Sequence, residues 1–266
     1  KVKGYPNGML GGDRGLLEGV ESGDIPFVVQ TTAPQIDFVP ETAIFNLPSA
    51  FADIPQLRGT VNEPSFRKIF NEMYEKHGYK LLAVGDQGFR VMTSNKAVHK
   101  LDDFRGQKIR TMENVYHIAF WRSIGASPTP MNFGEVYIGL QQGTIDAQEN
   151  PLAMIKTGNF YEVQKYLNKT EHLRSIVYIV ISKSKLESMP KDLQDLVVKA
   201  GKDMMDYEHK LFLKDEEDLE DFLKEKGMIF VEDVDRDALA AQASQGVEKV
   251  LPKALKPMYD EIKAMK

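Results

Sequence analysis

From Lys191 to Lys226 the chain runs without a proline and with a single glycine, Gly201. Apolar residues recur at Leu193, Leu196, Val197, Ala200, Met204, Tyr207 and Leu211, then at Leu219, Phe222 and Leu223. That is the spacing of a helix face. Pro190 suits the start of a helix and Gly227 suits its end. A helix of about 36 residues is ~54 Å long, against roughly 30 Å for one small lobe. The stretch therefore predicts a strut that crosses two lobes. The alternative is a pair of shorter helices broken around Lys214–Asp218.

The remainder of the chain alternates short strands with helices. Leu16–Val20 is apolar at helical spacing and Ile25–Val29 reads as a strand. Ala43–Pro48 is a short apolar segment ending in a turn. Pro64–His77 is helical, with Gly78 closing it. Tyr79–Val84 and the β-branched Val177–Ser182 read as buried strands, and Lys108–Met112 as another. Leu101–Gln107 is a helical turn and loop. Val115–Ile124 and Phe133–Gln142 are helices ended by Gly125 and Gly143. Lys1–Pro6 looks like the end of a strand. Alternation of this kind predicts an α/β fold with a mainly parallel sheet.

A length of 266 residues allows one large domain or two lobes. The formal charge of −5 provides no basic face for nucleic acid. No apolar run reaches the ~20 residues of a membrane span. With no cysteine there is no disulfide, thiolate metal site or cysteine nucleophile. The histidines are scattered, with none paired at metal-ligand spacing. There is no phosphate loop and no nucleophile elbow. Neither a metal nor a cofactor is expected.

Two arginines stand outside charge runs, Arg90 after Gly88-Phe89 and Arg110 at the end of Lys108-Ile109-Arg110. A buried arginine needs an acceptor. No acid is obviously assigned to either one, although Glu113 or Glu149 could pair with Arg110. An anionic ligand is a candidate partner, because a planar guanidinium grips a carboxylate through two parallel hydrogen bonds. Gln30 and Gln87 end apolar strand segments, where α/β sheets open to ligands. Glu113 and Asn114 lie in the turn after Arg110 and could meet ligand hydroxyls, while Asn114 could equally cap a helix. Asn150 could be an Asx-turn residue and Phe133 could be simple core packing. Trp121 reads as packing, with His117 beside it. An enzyme acting on carbohydrate acids, a lyase or hydrolase using Glu113 and Glu149 as acid and base, is the alternative reading.

Several strings occur in order along the chain: Tyr5-Pro6-Asn7-Gly8-Met9-Leu10-Gly11-Gly12, Gly106-Gln107-Lys108-Ile109-Arg110, Gly125-Ala126-Ser127-Pro128-Thr129-Pro130-Met131, Glu135-Val136-Tyr137, Gln148-Glu149-Asn150-Pro151 and Tyr161-Glu162-Val163-Gln164-Lys165-Tyr166. Together they resemble the extracytoplasmic solute-binding subunit of TRAP transporters, of the DctP and sialic-acid-binding type. The resemblance implies a two-lobe periplasmic-binding-protein-like fold with discontinuous lobes and a long lobe-spanning helix. One lobe would hold residues 1–87 and 175–215, the other 88–174 and 216–266. It implies a protein that is not an enzyme and that carries a sugar acid, uronate or C4-dicarboxylate to a membrane permease. It also implies a periplasmic protein, expected to be a monomer. By resemblance Arg110 is the principal carboxylate ligand, Arg90 a second contact, Asn150 a hydrogen-bonding partner and Phe133 the ring against the ligand. Family members begin with a further strand and helix, which carry the first ligand-facing loop and are not contained in this sequence.

Overall fold

The computed structural model describes residues 2–6, 8–47, 51 and 54–264. In chain order the helices are α1 (Asp13–Ser22), α2 (Ile54–Asn62), α3 (Pro64–Lys76), α4 (Val115–Ser123), α5 (Val136–Gln142), α6 (Leu152–Thr157), α7 (Lys183–Glu187), α8 (Lys191–Glu225), α9 (Arg236–Glu248) and α10 (Lys256–Ala264). The strands are β1 (Phe27–Thr31), β2 (Tyr79–Ser94), β3 (Lys108–Thr111), β4 (Ser127–Pro130), β5 (Ala147–Asn150), β6 (Tyr166–Ser182) and β7 (Ile229–Val231). Val2–Pro6 carry no regular structure, so the strand end expected there is not formed. The apolar segment at Ala43 is a 3-10 turn, Pro40–Asn46, and Pro48 lies outside the described residues.

All seven strands join one sheet in the order β1-β6-β2-β5-β3-β4, with β7 also on β6. The expected parallel character is overturned. β1·β6, β2·β6 and β2·β5 are antiparallel, and only β3·β4, β3·β5 and β6·β7 are parallel. The two strands read as short are also far longer. β2 spans 16 residues and β6 spans 17. At one end β6 pairs with β1 through Phe27–Thr31, and at the other β2 pairs with β5 and β6 with β7, so two half-sheets share the long pair.

Between the halves their ladder is irregular. The register shifts between Asp86 and Phe89 and again between Arg90 and Met92, across from Arg174 and Leu173. Gly88 there has φ +82°, open to glycine at no steric cost, and its N–H donates to Asp86 Oδ1 at 2.5 Å.

The strut is present as one helix of 35 residues, and the break around Lys214–Asp218 does not occur. It crosses β2 where that strand has small or apolar residues. Leu82 lies against Gly201, Met205 fills the space over Gly85, and Phe212 lies over Gly88. Leu223, further along, joins Val91, Leu140, Ile155 and Phe160 in a core on the second half-sheet. A separate core packs Met205 with Leu82, Val177, Ile179 and Ile181. One helix thus contributes to a core at each end of the sheet. On the opposite face a larger core joins α1 and α3 to α4, α9 and α10, with Phe70, Tyr74, Trp121 and Tyr259 buried in it. The turn Lys253–Leu255 leans back on Pro40–Asn46.

Candidate ligand-binding cleft

β3 lies between β4 and β5, with Arg110 in register with Thr129 and Gln148. Neighbouring strands on both sides bury Arg110 to 1% exposure. Its Nε donates to the Met131 carbonyl at 2.9 Å, and its guanidinium carbon lies 5.9 Å from the Phe133 ring centre. Phe133 itself stands edge-on to Phe160, 5.6 Å away. Among the described residues the two terminal nitrogens of Arg110 have no acceptor. They face a small cleft of about 30 Å³ lined also by Asp13, Arg14, Pro34, Asp37, Met112, Glu113, Met131 and Asn132. Burial pushes the guanidinium down to about 10, with Arg90 acting the same way and Glu149 and Asp13 opposing it.

Arg90 is answered by the fold. Its Nε donates to Glu149 Oε2 at 2.5 Å, and its terminal nitrogen donates to Glu149 Oε1 at 2.9 Å, to the Glu149 carbonyl at 2.6 Å and to Asn150 Oδ1 at 3.0 Å. The expectation that neither arginine has an acidic partner is therefore corrected for Arg90. The Val91↔Asn150 register of β2 on β5 brings Glu149 beside it, a pairing across 59 residues of chain. Glu149 also lies 3.0 Å from His172 Nε2 and 3.8 Å from His117 Nδ1. Burial alone would raise the Glu149 carboxyl, but the Arg90 charge and the two imidazoles hold it well below the usual carboxylate range. Burial lowers both histidines against the pull of Glu149.

Asn150 is buried, and its Nδ2 donates to Gln148 Oε1 at 2.7 Å, while Gln148 donates to Thr93 at 2.9 Å. Asn114 caps α4: its Oδ1 accepts from Tyr116 N and His117 N, and its Nδ2 donates to the Ala33 carbonyl. Glu113, next to it, is exposed at the cleft. Gln87 accepts from the Ser175 hydroxyl at 3.2 Å in the irregular crossing. Gln30 stands behind the cleft: its Nε2 donates to the Asp13 carbonyl (2.8 Å) and Oδ1 (3.2 Å), and its Oε1 accepts from Tyr178. Trp121 packs edge-on against Phe120 and His172.

Arg110, Glu113 and Phe133 thus converge directly. Arg90 and Asn150 join through Glu149, and Gln30 through Asp13. Asp13, the Met131 carbonyl and the Glu149–His172 pair were not anticipated as parts of the site. Asp13 opens α1, where an acid reads as a favourable first-turn residue, so the sequence carries no further signal. Glu149, paired and fully buried, cannot share a reacting atom with the exposed Glu113 as the acid–base alternative requires. Among the described residues no group of acids and histidines is placed to hold a metal, and no helix is long and apolar enough to cross a membrane.

The sequence profile of the DctP family, described as bacterial extracellular solute-binding protein, family 7, matches residues 1–253. The chain is 31% identical over 269 residues to the 2,3-diketo-L-gulonate-binding periplasmic protein YiaO of Escherichia coli, covering all of this chain and 81% of that one. Two crystal structures of TRAP periplasmic solute-binding proteins superpose on it closely. One, from Polaromonas with bound D-erythronate, has a TM-score of 0.93 at 31% identity, covering 98% of this chain and 86% of the other. The second, from Roseobacter denitrificans with bound L-galactonate, has a TM-score of 0.92 at 32% identity, covering 97% and 85%. The chain belongs to the DctP family of extracytoplasmic solute-binding proteins of TRAP transporters, and it is a binding protein rather than an enzyme.

Proposed function

We propose that the cleft at Arg110 captures a small organic acid, of the sugar-acid kind, and presents it to the membrane permease of a TRAP transporter. The observation that carries this reading is the buried Arg110, whose terminal nitrogens have no acceptor among the described residues. A ligand carboxylate supplies both missing acceptors in a bidentate pair. Phe133 covers the apolar side of the ligand. Glu113 lines the cleft and Gln30 stands behind it through Asp13, whereas Arg90 and Asn150 are tied to Glu149, Asn114 caps α4 and Gln87 lies in the β2–β6 crossing. Similar proteins with bound erythronate and galactonate support the ligand class.

The lobes are 1–87 with 175–215 and 88–174 with 216–266, hinged where β2 and β6 lose register and where α8 crosses them. A cleft of about 30 Å³ has room for one or two waters, so a sugar acid enters through an opened form and the lobes then close on it. The protein works in the periplasm as a monomer and has no nucleic-acid partner. A thermal-shift screen of sugar acids, uronates and dicarboxylates tests the reading, since a ligand stabilises the native state in proportion to RT ln(1 + [L]/Kd). A screen in which no organic acid shifts the melting temperature would sink it.

A further inference from the structure

Where α8 crosses β2, three carboxyls come together away from the cleft. Asp86 lies in the strand at 0% exposure, between Gly85 and Gly88. Its Oδ1 accepts from the Gly88 N–H at 2.5 Å and its Oδ2 from Arg174 Nη1 on β6 at 3.2 Å. Glu208 and Glu216 reach down from α8 over the two glycines. Glu208 Oε2 stands 3.1 Å from where a side-chain carbon on Gly85 would sit, and Glu216 Oε1 stands 2.6 Å from one on Gly88. Glu208 Oε2 is buried there with no hydrogen-bond partner among the described residues, an arrangement that penalises its charged form.

Two arginines answer these three acids. Arg174 lies over the Phe89 ring, 4.0 Å from its centre, besides bonding Asp86. Arg58 on α2 is shared with Asp206 at 3.7 Å. His209 adds little positive charge, because burial and Arg58 lower its imidazole against Asp86 and Asp206. Further along, Glu171 is paired with Arg236, and Glu220 with Lys169 and Lys224. Burial and then Asp86 push Glu208 up to about 7, against Arg58. The same two causes raise Glu216, with Glu220 and Glu171 adding and Arg174 opposing. Burial raises Asp86 too, against the Gly88 N–H, Arg174 and His209.

We infer that this crossing is a proton-linked hinge: closure on the organic acid presses Glu208 and Glu216 of α8 onto β2 beside Asp86, and the closed form takes up a proton there. The inference rests on closure of the cleft around a carboxylate at Arg110. Because α8 serves both lobes, opening bends it between Glu208 and Glu216 and returns their carboxyls to water. The closed form carries the raised carboxyl, so binding is favoured below pH 7 and weakens as pH rises through it.

L-galactonate and D-erythronate, the acids bound by similar proteins, serve as probes. Calorimetry at pH 7 in two buffers of different ionisation heat should show the wild type taking up a fraction of a proton per acid bound. Its affinity should fall by about threefold to tenfold between pH 6 and pH 8, tenfold being a full return of Glu208 to its ordinary range on opening. The double variant Glu208→Gln, Glu216→Gln stays neutral at every pH. It should bind at pH 8 as the wild type binds at pH 6 and take up no proton. No uptake by the wild type, or an uptake and pH slope unchanged in the double variant, would overturn the inference, and the wild-type heats decide it even if the double variant does not fold. Arg110→Ala, run in parallel, should lose both acids by about 30-fold or more at every pH. If it does so while the wild type takes up no proton, the carboxylate reading stands and only the hinge fails. A wild type that binds neither acid, or an Arg110→Ala protein that binds them as wild type does, would end the carboxylate reading and this inference with it.

Discussion

Arg90 and Arg110 lie in one sheet and are equally buried, but the fold neutralises only Arg90. This difference predicts a structural role for Arg90 and a binding role for Arg110, and it can be measured. Arg110→Ala should fold normally and lose about 2–5 kcal/mol of affinity for the cognate acid, because the carboxylate would be left desolvated and unpaired. That is about 30- to several-thousand-fold in Kd by calorimetry. Arg110→Lys keeps the charge but loses the fork, so it should fall between the two. Arg90→Ala acts mainly on the fold. It would strand Glu149 at 0% side-chain exposure and should cost about 3–5 kcal/mol of stability in denaturant titration. An Arg90→Ala protein as stable as wild type would mean that Glu149 is held without it.

At the scale of elements, α8 and the crossing of β2 with β6 govern how the two half-sheets meet. Helix and strand come close because Gly85, Gly88 and Gly201 leave room for Met205, Phe212 and Leu82. The close approach also shields Glu208 Oε2, which has no hydrogen-bond partner among the described residues. Burial pushes its carboxyl up to about 7, and the charge of Asp86 adds to that against Arg58. A carboxyl raised in the folded state contributes stability that is full below its ordinary value near 4.5 and is lost as pH rises through 7. Glu208→Gln should therefore raise the melting temperature at pH 8 and change it little at pH 5. An equal effect at both pH values would show that the charge of Glu208 carries no penalty.

For the whole molecule, the proposed working cycle is a closure. The absence of cysteine makes it accessible, because dyes can be placed at two introduced thiols alone. Lys68→Cys on α3 and Arg105→Cys after the Leu101–Phe104 turn are exposed positions that the proposed division puts on opposite lobes. Energy transfer between them should change saturably with the cognate acid and should stop responding when Arg110→Ala is added. A signal indifferent to saturating ligand would rule out hinge closure between these lobes.

What the sequence determined by itself was local. The strut was legible because helical periodicity and the lack of proline act within a few turns. The glycines after α3, α4 and α5 marked their ends correctly, since each takes a positive φ that other residues avoid: Gly78 at +83°, Gly125 at +88° and Gly143 at +71°. Arg90 and Arg110 stood out alike as arginines without an obvious acid, with no ground in the sequence to tell them apart. Only the tertiary structure decided the rest. β2 and β6 were read as short because Gly85–Gly88 and Lys169–Arg174 interrupt their apolar runs. Their full length is supplied by antiparallel pairing with each other, from Tyr79 on Ser182 to Ser94 on Tyr166, a separation along the chain that no local pattern encodes. The same holds for the site. Glu149 neutralises Arg90, and not Arg110, through the register of β5 on β2. Asp13 reaches the cleft of Arg110 from the start of α1, steadied by Gln30 and Tyr178. Charge and hydrogen bonding depend on which groups share a dry space, and in this protein distant strands bring those groups together.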